Sequence, residues 1–169
     1  MLRINATYKI NDALIEAIVP YASKPVFSIV RKAKENKKCI EVHGAYGCHT
    51  VIILKDGTLI LCTNVPEYYI RRLPQYQFCA SAAFRGKRVK GNKAYLKQEL
   101  LLDAVKVPEG KKAPSRSVQR RIKDAKETEQ FLDLTEGRKT RIYCFTITGH
   151  CYALYGADDS LSFSAGQAS

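Results

Sequence analysis

Four side chains between positions 43 and 62, His43, Cys48, His49 and Cys62, are of the types that hold zinc or activate a thiolate. Their spacing matches no established zinc pattern. Cys48 and His49 are adjacent, and neighbours on a strand point to opposite faces, which is poor geometry for a base-activated nucleophile. The remaining cysteines, Cys39, Cys79, Cys144 and Cys151, form no closely spaced pair and sit in apolar, strand-like surroundings, where a thiol behaves as a small hydrophobe. His150 falls in a hairpin turn with no acidic partner in the local sequence. No glycine-rich phosphate loop, paired-carboxylate motif or Ser-His-Asp order stands out. The chain reads as non-catalytic, with no metal, no cofactor and no small-molecule substrate.

The chemistry that does stand out is cationic. The chain has 28 Lys and Arg against 16 Asp and Glu, a net charge of +12. Such an excess costs self-repulsion and suits a polyanionic partner, with nucleic acid the commonest and an anionic membrane surface the rival. The cations cluster in three kinds of place. Arg138, Lys139, Thr140 and Arg141 follow a glycine turn, where side chains and backbone N–H groups can both reach phosphates. If this segment begins a strand, Arg138 and Thr140 share one face, and Lys139 and Arg141 the other. The bland alternative pairs Arg138 and Arg141 with Asp133, Glu136 or Glu129. Two amphipathic helical stretches carry Arg31 and Lys34, and Arg120, Arg121 and Lys123. Either a solvated or a phosphate-facing surface would look like this. Finally, Arg85, Lys87, Arg88 and Lys90 lie in a run from Arg85 to Lys93 that packs five cations and two glycines into nine residues. No core can be built from that run, so it is a linker, an exposed hairpin or an arm that tracks phosphates.

The elements that must position these groups come in a pattern used twice. Residues 25–64 and 114–156 each read as an amphipathic helix, a short strand, a tight glycine turn and a hairpin. Aligned on Gly47 and Gly137, the first copy carries two extra residues before the glycine. Ser23-Lys24-Pro25 opens the first helix and Ala113-Pro114-Ser115 the second. Asp56-Gly57, between two β-rich runs, predicts a two-residue primed hairpin, and Pro66-Glu67 starts a short helix. The fold class is therefore α+β: two related modules, each a basic helix packed on a small antiparallel sheet. The expected divisions are module 1 over 1–74, a basic linker over 75–98, module 2 over 99–157 and a flexible tail over 158–169. A pseudo-dimer of the two small half-sheets would bury an edge or face of each. The start of the chain lacks an apolar signal core, and no run is apolar enough to cross a bilayer. The expectation is a cytoplasmic protein with no membrane partner.

The stretch from Pro25 to Leu73 resembles the RemA family of small bacterial DNA-binding regulators of biofilm-matrix genes. Pro25, Ile29, Ala33, Ile40, Glu41, Tyr46-Gly47, Thr50, Pro66-Glu67 and Arg72-Leu73 fall at matching places. Cys48 and His49 stand where that family has arginines. The second copy keeps the converse half: Leu132-Asp133, Thr135 and Gly137 through Arg141. The resemblance implies binding to double-stranded DNA through cations after the glycine turn, and homo-oligomeric assembly into rings or arrays. It also suggests divided labour, with copy two gripping nucleic acid and copy one serving as scaffold. The competing readings are an RNA or single-strand binder stacking bases on Tyr68, Tyr69, Tyr76 and Tyr95, and a protein-interaction module inhibiting a partner regulator. A hydrolase or nuclease is the outsider.

Overall fold

The computed structural model describes residues 1–81, 93–135 and 138–156. A short hairpin, β1 (Leu2–Arg3) and β2 (Lys9–Ile10), leads into β3 (Ile15–Pro20). Ser23 then caps α1 (Lys24–Glu35), its hydroxyl accepting the Val26 N–H, with Pro25 in the first turn. β4 (Cys39–Glu41), β5 (Thr50–Leu54), β6 (Leu59–Cys62) and α2 (Pro66–Ile70) follow. β7 (Phe78–Ala80) and β8 (Tyr95–Lys97) complete a first sheet in the order β4-β6-β5-β3-β8-β7. β9 (Leu101–Lys106), α3 (Arg116–Glu127), β10 (Phe131–Asp133), β11 (Ile142–Thr146) and β12 (Cys151–Leu154) build the second, ordered β10-β12-β11-β9. The fold is α+β with two sheet-based modules. Each sheet has one parallel edge pair, β4 with β6 and β10 with β12, because the helix carries the chain across the sheet before the next strand.

The two modules correspond residue for residue from helix to final strand. Lys24 and Arg116, Cys39 and Phe131, Thr50 and Ile142, and Leu59 and Cys151 open equivalent elements, each pair 92 positions apart. The connecting hydrogen bonds keep that spacing. Lys38 N–H to Ala33 O, Leu59 N–H to Lys38 O and His49 N–H to Cys62 O recur as Gln130 to Ala125, Cys151 to Gln130 and Arg141 to Leu154. Both helices end in a left-handed residue that is not glycine, Lys37 and Glu129. Alignment on Gly47 and Gly137 is therefore out of register by two. The ladder places His49 level with Arg141 and Gly47 level with Lys139, and no residues are inserted. The Asp56-Gly57 hairpin also differs from the expected two-residue turn, and the second hairpin shares its geometry. Leu54 N–H bonds Thr58 O and Thr146 N–H bonds His150 O across three-residue loops, with only Gly57 (φ 90°) and Gly149 (φ 93°) left-handed. That is a turn closed by a glycine bulge.

The expected linker over 75–98 is largely part of the first module. Cys79 and Leu96 pair across β7 and β8 and are buried in the main core, and Ser81 and Ala94 are joined by hydrogen bonds. β7 and β8, the strands that precede and follow the basic run in the sequence, thus both belong to the first sheet. The chain passes between sheets through one 3-10 turn, Gln98–Leu100. Residues 82–92 and 157–169, which include most of the basic run and the expected tail, lie outside the described residues.

Like faces do not meet, so the modules form no pseudo-dimer. Val51, Ile53, Leu59 and Leu61, on the face that also receives Val26 and Val30 of α1, pack against Ile142, Cys144, Tyr152 and Leu154. The equivalents of that last set in module 1 are Thr50, Ile52, Ile60 and Cys62, on the face away from α1. Ile52, Ile60 and Cys62 are covered there by the β1–β2 hairpin and α2. α3 covers the outer face of sheet two through Val118, Ile122 and Ala125. The stack is front to back.

A bulge in β3 ties the stack together. The register shifts between Ile15 and Ala17, so Glu16 is the extra residue, and its carboxylate, 1% exposed, points into module 2. It accepts hydrogen bonds from Thr148 Oγ1 and Tyr152 Oη, and His150 Nδ1 lies 2.8 Å from Oε2. Burial pushes the carboxyl up, but the bonds from His150, Thr148 and Tyr152 bring it below its ordinary value. Burial and the Glu16 charge push Tyr152 well above its own, so the phenol keeps its proton and donates. Removing one partner of a buried charged set leaves the rest unpaired, so Glu16→Gln should cost about 3 kcal/mol at neutral pH in urea unfolding. The contribution of a depressed carboxyl is complete above the ordinary carboxylate range. It is lost as pH falls through the lowered value, so the gap between parent and variant should narrow on acidification.

Candidate nucleic-acid interface

The segment 138–141 precedes β11 rather than opening it, so strand alternation does not sort its side chains. Its backbone is nonetheless fixed. Arg138 N–H bonds Thr135 O, while Arg141 donates to Leu154 O and accepts from Val107 N–H. Arg138, Lys139 and Arg141 are exposed and Thr140 is half-buried. The nearby acids among the described residues are occupied elsewhere. Asp133 Oδ1 accepts from Thr135 N–H at 2.9 Å and Thr135 Oγ1 at 2.5 Å, and Glu129 pairs with Lys32 at 3.2 Å. Among the described residues no carboxylate pairs with Arg138, Lys139 or Arg141. Lys139 Nζ reaches only the Lys111 carbonyl, at 3.3 Å, and the Arg138 guanidinium lies 5.1 Å from the Tyr155 ring centre. Glu136 and Gly137 lie outside the described residues.

The helical cations divide. Arg120 and Lys123 are exposed, Lys123 with Glu127 at 4.0 Å. Arg121 is engaged inside module 2: its guanidinium sits 2.6 Å from Asp103 Oδ2 and 3.8 Å over the Phe145 ring. In module 1 Arg31 is exposed, and Lys34 bonds Glu41 at 2.6 Å, a contact that raises the lysine and lowers the carboxyl. Arg85, Lys87, Arg88 and Lys90 lie outside the described residues.

In module 1 the equivalent turn has different chemistry. Gly47, at φ 82°, follows Tyr46, which is 84% exposed and stands level with Arg138. Cys48 Sγ lies 3.3 Å from Thr50 O, His49 Nδ1 2.7 Å from Thr63 O, and His43 Nδ1 2.9 Å from Gly44 O. Each is engaged by backbone, and no group of three metal-ligating side chains forms among the described residues. Burial pushes the Cys48 thiol up to about 11 and Cys62 to about 12, which keeps both protonated and unreactive at neutral pH. The tyrosines singled out for base stacking are engaged too. Tyr69 is fully buried, Tyr68 lies under Arg72, Tyr76 under Lys97, and Tyr95 Oη bonds Glu67.

No helix among the described residues is long and apolar enough to cross a membrane. Residues 1–73 match the family model RemA-like, described as extracellular matrix regulatory protein A-like. No curated protein matches the chain.

Two neighbouring arginines on α3 should behave differently. Arg121→Ala removes a close ion pair and a ring contact and should lower unfolding free energy by about 1 kcal/mol, whereas Arg120→Ala should leave it within about 0.5 kcal/mol of the parent. Urea unfolding of the two variants checks this.

Proposed function

We propose that this chain, a RemA-like regulatory protein through residues 1–73, acts without catalysis by binding double-stranded DNA, and that its second module is a diverged tandem copy of the first. The duplication reading is supported by the constant spacing of equivalent elements and hydrogen bonds between the modules. The observation that carries the DNA reading is the state of Arg138, Lys139 and Arg141: exposed, on a segment whose backbone is held at Arg138 by Thr135 and at Arg141 by Leu154 and Val107, with the nearest described acid turned onto Thr135. Cations held in register with no counter-charge among the described residues suit a phosphate rod, and the net charge of +12 supplies the long-range attraction. Arg120, Lys123 and Arg31, each exposed, and Arg85, Lys87, Arg88 and Lys90 of the basic run are the further cations that this reading assigns to phosphates. Arg121 and Lys34, already paired with Asp103 and Glu41, contribute to it mainly as part of the local field. Module 1, with Tyr46, Cys48 and His49 at the equivalent turn, serves as scaffold.

The test compares two variants on duplex DNA across salt concentrations. Replacing Arg138, Lys139 and Arg141 together by Ala should weaken binding at least tenfold. It should also flatten the plot of log affinity against log salt by about 0.9 for each phosphate no longer neutralised, about 2 to 3 in all. Replacing Cys48 and His49 by Ala should change both much less. Equal weakening in both variants would contradict divided labour, and parental binding by both would place the contacts elsewhere. Tighter binding to single strand than to duplex would contradict the DNA reading itself.

A further inference from the structure

The front-to-back stack leaves an opening that neither module has alone. At the hairpin end of sheet one, the end of α1 and the Lys55-Asp56-Gly57 turn face the end of α3, the start of β10 and the second hairpin across a cleft of about 850 Å³. That volume is in the range of small-molecule sites and is concave, unlike the surface a duplex follows. Four lysines line it, Lys32 and Lys126 from the two helices and Lys38 and Lys55 from module 1, against two carboxylates, Asp56 and Glu129. The carboxylates are already engaged: Glu129 with Lys32, and Asp56 with the Thr58 N–H at 2.9 Å. Lys38 is held at the rim by the Asp56 carbonyl, 3.0 Å from Nζ, and its charge also acts on the Asp56 carboxylate, which leaves Lys126 and Lys55 as the lining lysines with no carboxylate partner among the described residues. The floor is apolar, with Ile53 and Leu59 from one sheet and Phe131 and Leu132 from the other.

A buried ring also opens into this cleft. His150 is 5% exposed, and its Nδ1 faces the Glu16 carboxylate and Thr148. With Glu16 ionised and accepting, Nδ1 carries the proton, and the ring orientation is set from module 1. Nε2 has no partner among the described residues and lies 3.7 Å from where a Cβ on Gly57 would stand. The glycine leaves it open. A nine-tenths buried imidazole that serves Glu16 with one nitrogen and has no described partner on the other is placed to meet a ligand on the cleft side. Gln130, Thr128 and Asn36 add amide and hydroxyl groups to the walls.

We propose that the inter-module cleft binds an organic phosphate of nucleotide size, its phosphate held by Lys38 and Lys126, its apolar body on the Ile53–Phe131 floor and a polar edge against His150 Nε2. The ammonium groups select the anion, and the floor selects an organic body over a free ion. Because both modules line the site, occupancy would bridge the stack. None of this depends on the DNA reading, and the test contains no DNA or RNA.

The full chain is titrated calorimetrically with AMP, GMP, UMP and CMP, with the corresponding nucleosides, and with inorganic phosphate. At least one nucleotide should bind one-to-one, with its nucleoside and inorganic phosphate each at least about tenfold weaker. Lys38→Ala with Lys126→Ala, both exposed and outside the proposed DNA set, should weaken that nucleotide at least about tenfold, while losing the Lys126 contact with the Phe131 ring and the Lys38 bond to Asp56 O should lower the urea midpoint only slightly and leave the chain folded throughout the titration. The His150 ring resonances should shift along the same binding curve. Three results overturn the proposal: no nucleotide bound at millimolar concentration, equal binding by the double variant, or inorganic phosphate bound as tightly as the nucleotide.

Discussion

A carboxylate taken out of water between two sheets governs how this molecule is put together. Glu16 sits at a bulge, so its side chain leaves the β3 ladder, and it finds all of its described partners in the other module: Thr148, His150 and Tyr152. An unpartnered buried charge would cost several kcal/mol. Apolar burial is non-directional, whereas the carboxylate is satisfied only where Thr148, His150 and Tyr152 converge on it. The polar cluster therefore sets the register of the stack, and the aliphatic core beside it supplies most of the favourable energy.

The direction of stacking has a consequence for assembly. Two copies packed through like faces would close on themselves, whereas a front-to-back contact repeats unless something stops it. Here it is stopped within one chain. The back of module 1 is covered by the β1–β2 hairpin and α2, elements that module 2 lacks among the described residues, and the front of module 2 is covered by α3. A homo-oligomer of this chain would have to use a contact other than the one between its modules. The same asymmetry separates the chemistries. The exposed cations sit at the turn before β11, at the far end of sheet two from the hairpin, while the cleft with His150 lies at the hairpin end.

Much of this is legible locally, because local rules decide it. Ser23 with Pro25 marks a helix start, and Gly57 and Gly149 mark hairpins, since a left-handed residue is needed there whatever the turn type. The helix-strand-hairpin pattern used twice is visible in the sequence, and so is the likeness of residues 1–73 to the RemA-like family. What escapes is what depends on pairing between distant residues. Glycine looks like the equivalent point in the two copies, yet Gly47 stands level with Lys139 because ladder bonds, not glycines, set the register. The segment around Arg85 reads as a linker, since its charge conceals that Cys79 and Leu96 on either side belong to the core. His150 lacks an acid nearby in the sequence, and its partner lies across the molecule in β3. Arg121 is indistinguishable from Arg120 until Asp103 and Phe145 are seen beneath it.

Shared packing between the sheets and the Glu16 cluster across them predict that the two modules unfold as one cooperative unit. Native-state hydrogen exchange reads this out through amides of β5 and β6 in one sheet and β11 and β12 in the other. The slowest amides of both sheets should open with the same free energy, equal to that of global unfolding, and Glu16→Gln should lower both by the same amount. Opening of β11 and β12 at a distinctly lower free energy than β5 and β6, with Glu16→Gln affecting one sheet alone, would contradict it.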